Sequence, residues 1–396
     1  METFQYYQYA IILFLFIILI NFIVNNFLFK KISSYSLPNK IIEDPVLVSV
    51  LVPARNEEKN IKRCLNSLLK QDYPRMEIIV LDDGSRDATY EIAARLSQKD
   101  NRLRVIRGKR LKTGWLGKSY ACWQLASKAK GSILLFTDAD TLHFSDSVSC
   151  ALGAMLKTGC GGISVFSHQI MVTFHERMMV PFANLMILCF LPLGLVYGSK
   201  NPLFCTAIGQ FMMFDRDAYK KAGGHKEVKK EILEDIHISK LLKRSGSRFM
   251  VFDGNRKLYC RMYKNLREVI TGYSKVLFAA FDYNSYNFFT AFLLASCIFL
   301  LPFIFLPLAI LFDWPQMILN ALVLQVLLIF LIRVIYAVRF KTKTIDIILH
   351  PISMMYLLLI AINSFYRCRS GLGIYWKDRV YDVSDEDELK LADHIK

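Results

Sequence analysis

Uncharged runs are spread unevenly along this chain. Residues 10–29 carry no charged side chain, and 20 such residues match the length that crosses a bilayer's hydrocarbon, about 30 Å. Only Glu2 is charged ahead of them, no basic stretch precedes them, and no Ala-x-Ala follows. The run therefore reads as an uncleaved anchor with its N-terminus outside, not a signal peptide. Three more apolar segments come late, about 288–312, 317–332 and 345–366, the first carrying Pro302 and Pro307 that predict a bend. Another uncharged run, 178–197, would place all that follows it across the membrane from all that precedes it. Pro181, Pro192 and Gly194 interrupt it, so it reads as an interfacial or re-entrant element.

Between these blocks the pattern alternates. Short apolar or β-branched runs at 46–52, 77–81, 103–106, 133–137, 159–167 and 206–214 predict buried strands. Amphipathic stretches at 87–99, 119–129 and 216–222 predict helices, and Asn56 is placed to cap another running to about residue 71. Strand–helix alternation at this spacing predicts a parallel sheet with helices on both faces. Ligands bind such sheets at the carboxyl ends of the strands.

The groups that fall at that edge are polar. The run 133–137 ends in Asp138-Ala139-Asp140, and extended residues two apart point the same way, so both carboxylates can converge. Two hard oxygen ligands suit Mg²⁺ or Mn²⁺, with a substrate diphosphate completing the shell. Asp82-Asp83 follow the strand at 77–81, a GWLGKS loop brings Lys118, and Glu234-Asp235 open an amphipathic helix. A nucleotide diphosphate-sugar needs this set: a carboxylate for base or ribose, a metal for the diphosphate, and a general base for the attacking hydroxyl.

Charge narrows the class. Of a net +16, many cations flank apolar blocks: Lys30, Lys31 and Lys40 follow the first, and Arg333, Arg339, Lys341 and Lys343 lie between the last two. That is the positive-inside pattern of a multi-pass membrane protein, not the clustered basic and aromatic face of a nucleic-acid binder. Three crossings from a cytosolic domain would leave the tail outside, whereas Arg367, Arg369, Lys377 and Arg379 favour the inside, and both placements stay open. The nine cysteines form no Cys-x-x-Cys or zinc-spaced cluster and read as reduced, mostly buried thiols.

The order PARNEE, DDGS, GKS, DAD and LED resembles the family 2 glycosyltransferases of GT-A fold. AIGQFMMFDRDAYKKAGGH (207–225), EILEDIHISKLLKRSG (231–246), RMYKNLREVITGYSK (261–275) and the tail YWKDRVY, with Asp378 in place of a glycine, resemble the membrane-bound branch that glycosylates lipids. The resemblance implies an α/β GT-A nucleotide-diphospho-sugar transferase domain with one N-terminal and about three C-terminal transmembrane helices. It implies an anchor over 1–30, a linker over 31–45, a cytosolic catalytic domain over 46–283 that includes the interfacial stretch 178–197, transmembrane helices over 288–366 and a polar tail over 367–396. By position, Pro53, Ala54, Asn56 and Glu57 line the uridine pocket with Asp82 and Asp83 nearby, Lys118 lies along the nucleotide-sugar, and Asp138 contacts ribose or sugar. Asp140, with Asp138, holds Mg²⁺ or Mn²⁺. Asp235 is the general base and Glu234 positions it, while Gln210, Arg261 and Lys275 are acceptor or diphosphate candidates.

One departure is informative. Processive members carry Gln-x-x-Arg-Trp after the base, where this chain reads Cys260-Arg261-Met262-Tyr263. The expected reaction is therefore a single, inverting, metal-dependent hexose transfer from a UDP-sugar, glucose being the family's usual one, to a membrane lipid such as a carotenoid acid or another isoprenoid. Two alternatives are a processive polysaccharide synthase, separable by product length, and a membrane scaffold or transporter with a degenerate nucleotide-binding domain, separable by UDP release.

Overall fold

The computed structural model describes residues 2–370, 374–377 and 379–381. The chain divides into two compact units, one drawn from Met1–Leu28, Met171–Pro192 and Tyr263–Ser370, the other from Phe29–Ile170, Leu193–Met262 and Gly371–Lys396.

The second unit is built on strands β1 (Val48–Ala54), β2 (Met76–Asp82), β3 (Leu103–Arg107), β4 (Ile133–Thr137), β5 (Thr141–His143), β6 (Gly162–Phe166), β7 (His168–Gln169), β8 (Phe211–Asp215), β9 (Phe249–Asp253) and β10 (Leu258–Cys260). Seven form one sheet in the order β3-β2-β1-β4-β8-β6-β9. β1, β2 and β4 are almost wholly buried because helices cover both faces, which is why they read as continuous apolar runs. Val48, Val50 and Val52 pack into one core with Ile61, Leu65 and Leu68 of helix Ile61–Leu69 and with Val148, Leu152 and Met155 of helix Ser147–Thr158. Helix Gly117–Lys128 lies against β1 as well.

The expected all-parallel sheet is corrected to a mixed one. β8 runs antiparallel to both β4 and β6, and the other pairings within the seven strands are parallel. A buried apolar run carries no sign of its direction, so periodicity could not reveal this. The reversal matters, because pairing Thr137 with Phe211 puts the start of β8 beside the end of β4. A second sheet, β5-β10-β7, lies just beyond the Asp138–Asp140 turn, with Cys260 opposite Thr141 and Gln169. Strands β11 (Ile374–Trp376) and β12 (Arg379–Tyr381) form an antiparallel pair within the stretch expected to be a polar tail. Asp378 and residues 382–396 lie outside the described residues.

In the first unit, helices Glu2–Leu28, Gln316–Phe340 and His350–Arg369 are long and apolar enough to cross a membrane. Ser285–Phe299 and Leu301–Leu311 make a fourth candidate if their 42° bend lies within one span. The bend falls where expected: Pro302 sits in the first turn of the second half, where its missing N–H interrupts the helical ladder. The uncharged run 178–197 divides between the units. Helix Phe174–Phe190, opened by a Thr173/Glu176 capping box, belongs to the first, and helix Leu193–Gly198 to the second. Asn25 Nδ2 donates to the carbonyls of Leu188 and Leu191, both at 2.7 Å, closing the open end of the longer helix.

β4 is seated against β1 with no space to spare. Gly131 N–H donates to Ser49 Oγ at 2.8 Å, and a Cβ there would stand 2.4 Å from the Leu47 carbonyl oxygen. Gly131→Ala is expected to destabilise the protein by about 1–3 kcal/mol. Gly198→Ala, with nothing within 4 Å, serves as the control. Melting curves of the two variants in detergent check this, and equal midpoints would show that the β1–β4 contact gives way.

Candidate active site

The carboxyl ends of β1, β2 and β4 frame a pocket of about 130 Å³ whose walls include Pro53, Ala54, Arg55, Glu57, Asp83, Lys118, Asp138, Asp140 and Lys377. Two loops are stitched together on the β1–β2 side. Asn56, at φ 50°, accepts from the Arg86 N–H at 2.9 Å and donates its own N–H to Ser85 Oγ at 3.0 Å. It therefore does not cap a helix: the next one begins five residues later, at Ile61, because Asn56 spends its side chain on the neighbouring loop. Glu57 N–H donates to Thr89 Oγ1 at 2.7 Å, which leaves its carboxylate at the pocket. Asp82 is buried against its own loop, accepting weakly from the Ser85 N–H, and Asp83 faces the pocket in its place.

Lys118 is the hub of the other side. Its Nζ lies 2.9 Å from Asp138 Oδ1 and 2.9 Å from Glu234 Oε1. Burial works against its charge, but Asp138, Glu234, Cys122 and Asp235 together hold its pKa well above a lysine's ordinary value. Glu234 and Asp235 occupy the first turn of helix Glu234–Arg244, where the dipole favours carboxylates. Burial, then the Glu234 charge, push Asp235 up to about 7 against Lys118 and the N–H groups of Ile236 and Gly209. Asp140 is also pushed up to about 7, by burial first and then by Asp138 and Glu57, with Lys377 and the Cys260 thiol opposing.

Asp140 Oδ1 is buried without a hydrogen-bond partner. Among the described residues no group of three or more His, Cys, Asp or Glu side chains could enclose an ion. A pair of carboxylates with an unspent oxygen, opening onto a pocket, instead suits a hard cation that takes its remaining ligands from a bound phosphate. The acceptor candidates scatter. Gln210 is buried, its Oε1 accepting from Gln169 Nε2 at 2.9 Å and from Ser167, and its carbonyl accepting from Thr137 Oγ1 at 2.8 Å. Arg261 follows β10 in the second unit, and Lys275 belongs to helix Leu266–Val276 of the first.

Residues 49–223 match the family described as glycosyl transferase family 2. The 4,4'-diaponeurosporenoate glycosyltransferase of Staphylococcus haemolyticus is 29% identical over 233 residues, a match spanning 58% of this chain and 60% of that protein. The enzyme of the same name from Staphylococcus aureus strain USA300 is 27% identical over 346 residues, 86% of this chain and 89% of its own. The mannosyltransferase PcManGT of Pyrobaculum calidifontis, solved with GDP-Man and Mn²⁺, superposes with a TM-score of 0.53 at 16% identity, covering 91% of this chain and 99% of that one. The fold is GT-A, and the relatives of this chain are named glycosyltransferases.

Two cations and one glycine of the site escaped sequence reasoning. Lys377 pairs with Glu57, and Arg379 pairs with Asp83, its Nη2 at 3.1 Å from Oδ1. The closely spaced cations of YWKDRVY were the available signal. Gly209 lies against Lys118 and the Glu234-Asp235 pair, and nothing in AIGQ announced it. Asp83 is raised by burial and pulled back by Arg379 and then Arg55, so losing the Arg379 guanidinium leaves a buried charge with Arg55 as its remaining cation at neutral pH. A carboxyl raised in the folded state is stabilising when protonated and loses that contribution as pH rises through its folded pKa. Arg379→Ala should therefore destabilise the protein by about 3 kcal/mol at pH 7 and far less in acid, where Asp83 is protonated. Melting curves across pH test it, and an equal loss at both ends would show that the contact is not ionic.

Proposed function

We propose that this glycosyltransferase moves one hexose from a UDP-sugar to a lipid acceptor at a membrane, inverting the anomeric centre. The observation that carries the reading is Lys118, which ties the donor-side Asp138 to the Glu234-Asp235 pair and so joins two halves of one reaction. The nucleoside end lies toward Glu57 and Asp83, with Pro53, Ala54, Asn56 and Asp82 shaping that wall. Asp138 and Asp140 would hold Mg²⁺ or Mn²⁺, which would supply charge stabilisation to the departing diphosphate. The acceptor oxygen attacks the anomeric carbon, the bond to the diphosphate breaks with its electron pair leaving on UDP, and the proton of an acceptor hydroxyl, or of a carboxylic acid that binds protonated, passes to Asp235. Glu234 holds Lys118 in place beside that carboxylate.

The names of the relatives support a carotenoid acid as acceptor, and glucose is the sugar proposed. The apolar helices and the cations that flank them support a multi-pass protein of the cell membrane with its catalytic domain on the cytoplasmic side. Cys260-Arg261-Met262-Tyr263 supports a single transfer over a processive one.

Asp235→Asn is expected to lower transfer from UDP-glucose to 4,4'-diaponeurosporenoate by about 10²–10⁴-fold while UDP still binds. In the unaltered protein the rate should rise with pH through about 7, as Asp235 loses its proton. A flat profile with an active Asn variant would exclude Asp235 as the base. Chelation should silence transfer, with Mn²⁺ or Mg²⁺ restoring it. Binding of Mn²⁺ with UDP should release protons near pH 7, since Asp140 must ionise to take the ion. Calorimetry in buffers of different ionisation enthalpy reads this, and proton release unchanged in Asp140→Asn would place the ion elsewhere.

A further inference from the structure

Residues 101–137 carry nine lysines and arginines and no acidic side chain. Four of these cations are engaged elsewhere. Arg102 pairs with Asp100, Arg104 donates to the Lys128 carbonyl, Arg107 lies over the Tyr90 ring, and Lys118 sits in the pocket. Lys109, Arg110 and Lys112 are exposed, and among the described residues none of the three meets a carboxylate. They belong to the loop that leaves β3 and leads to helix Gly117–Lys128. The fold pins this loop at both ends. Gly108 N–H donates to the Asp82 carbonyl at the end of β2, and Lys109 N–H donates to Gln124 Oε1, both at 2.8 Å. Leu116 N–H donates to the Lys229 carbonyl, also at 2.8 Å. This last bond brings in a second basic turn, where Lys226 and Lys229 are exposed with Glu227 between them. The two segments together present five exposed cations and one exposed carboxylate.

Aromatic rings accompany them. Trp115 and Trp123 are half-buried. Tyr120 stacks on Trp123 with ring centres 5.7 Å apart, Trp115 packs against both at 5.2 and 5.5 Å, and Lys112 Nζ stands 5.8 Å from the Trp123 ring centre. A nucleic-acid strand needs open ring faces on which its bases can stack. Here the faces are spent on one another and on Lys112. Half-buried indoles under a fringe of cations suit a lipid headgroup layer instead, where the ring sits at the interface and the cations meet anionic phosphates. We propose that this face of the second unit docks on the anionic surface of a bilayer. Lys109, Arg110 and Lys112 meet headgroup phosphates, Lys226 and Lys229 support them, and Trp115 and Trp123 lie at headgroup level. The inference rests on the reading of the chain as embedded in a membrane, and it adds a contact made by the second unit itself. The loop starts from the strand ends that frame the pocket. Docking there turns that edge of the sheet toward the layer from which a lipid acceptor comes.

The test uses the full chain in nanodiscs of phosphatidylglycerol or of phosphatidylcholine, each brominated on the acyl chain near the headgroup. The quenching of the unaltered protein beyond that of Trp115→Phe/Trp123→Phe isolates these two indoles. Brominated phosphatidylglycerol should quench them, and the effect should fade at about 1 M salt, where the Debye length shrinks to about 3 Å. Lys109→Glu/Arg110→Glu/Lys112→Glu should abolish it at ordinary salt, since each cation at an anionic surface is worth roughly fivefold in binding. The affinity of that variant for UDP should not change, which checks that its fold is kept. Equal quenching in phosphatidylcholine, or in the charge variant, overturns the proposal, because the contact is then apolar and not ionic. Unquenched indoles overturn it too, since the face then looks to water. If the unaltered protein instead retains a labelled oligonucleotide that the charge variant releases, the face is a nucleic-acid site. Alkaline carbonate that strips the full chain from vesicles would overturn the membrane reading beneath, whereas a chain that stays embedded with unquenched indoles overturns the docking face alone.

Discussion

Lys118 brings one positive charge within 2.9 Å of two carboxylates that are far apart in sequence, Asp138 after β4 and Glu234 at the start of a late helix. Folding also gathers Asp140 and Asp235 beside them, and carboxylates crowded in a low-dielectric pocket repel one another. Without the ammonium the turn after β4 and the helix opening at Glu234 would be driven apart. The placement is otherwise unfavourable. Lys118 lies in the first turn of helix Gly117–Lys128, where the dipole disfavours a cation. A lysine held against its own helix dipole indicates that the carboxylates around it decide its position.

The opposite wall of the pocket shows the same need for charge balance, met from much farther away. Glu57 and Asp83 pair with Lys377 and Arg379, some 320 and 296 residues distant in sequence. Closing so long a loop adds little entropy cost per added residue, so a remote segment is an affordable source of cations. Arg55 secures that segment by donating through Nε to the Lys377 carbonyl at 3.0 Å, and it binds the Gly84 carbonyl through Nη1 at 3.0 Å. The Glu57–Asp83 side is thus held by backbone contacts and ion pairs together, while on the other side Lys118 joins Asp138 to Glu234 and backbone N–H groups of Gly209 and Ile236 act on Asp235.

Much of this was legible in the sequence where composition dictates structure. The strands at 77–81 and 133–137, the Asp138–Asp140 turn, the helix opened by Glu234 and the apolar segments with their proline bend all depend on local pattern, and they stand within a few residues of expectation. What could not be read depends on partners. The direction of β8 is set by which strands it meets, so an apolar run looks the same either way. Asn56 has the right side chain for a cap, but a loop thirty residues away takes it. Gly209 looks like any glycine until Lys118 is seen against it.

The antiparallel strand gives these points a common cause. Parallel strands deliver only their carboxyl ends to one edge, and β1, β2 and β4 use theirs for the pocket wall and the paired aspartates. β8, reversed, delivers its beginning to that edge, so Gly209 and Gln210 arrive as backbone with N–H and C=O groups exposed to the turn. Gln210 carbonyl takes the Thr137 hydroxyl, and Gly209 N–H turns to Asp235. One reversed strand thereby links the end of β4 to the helix that carries Asp235. A parallel strand in the same place would have presented its far end, and Asp235 would lack the N–H that steadies its charge.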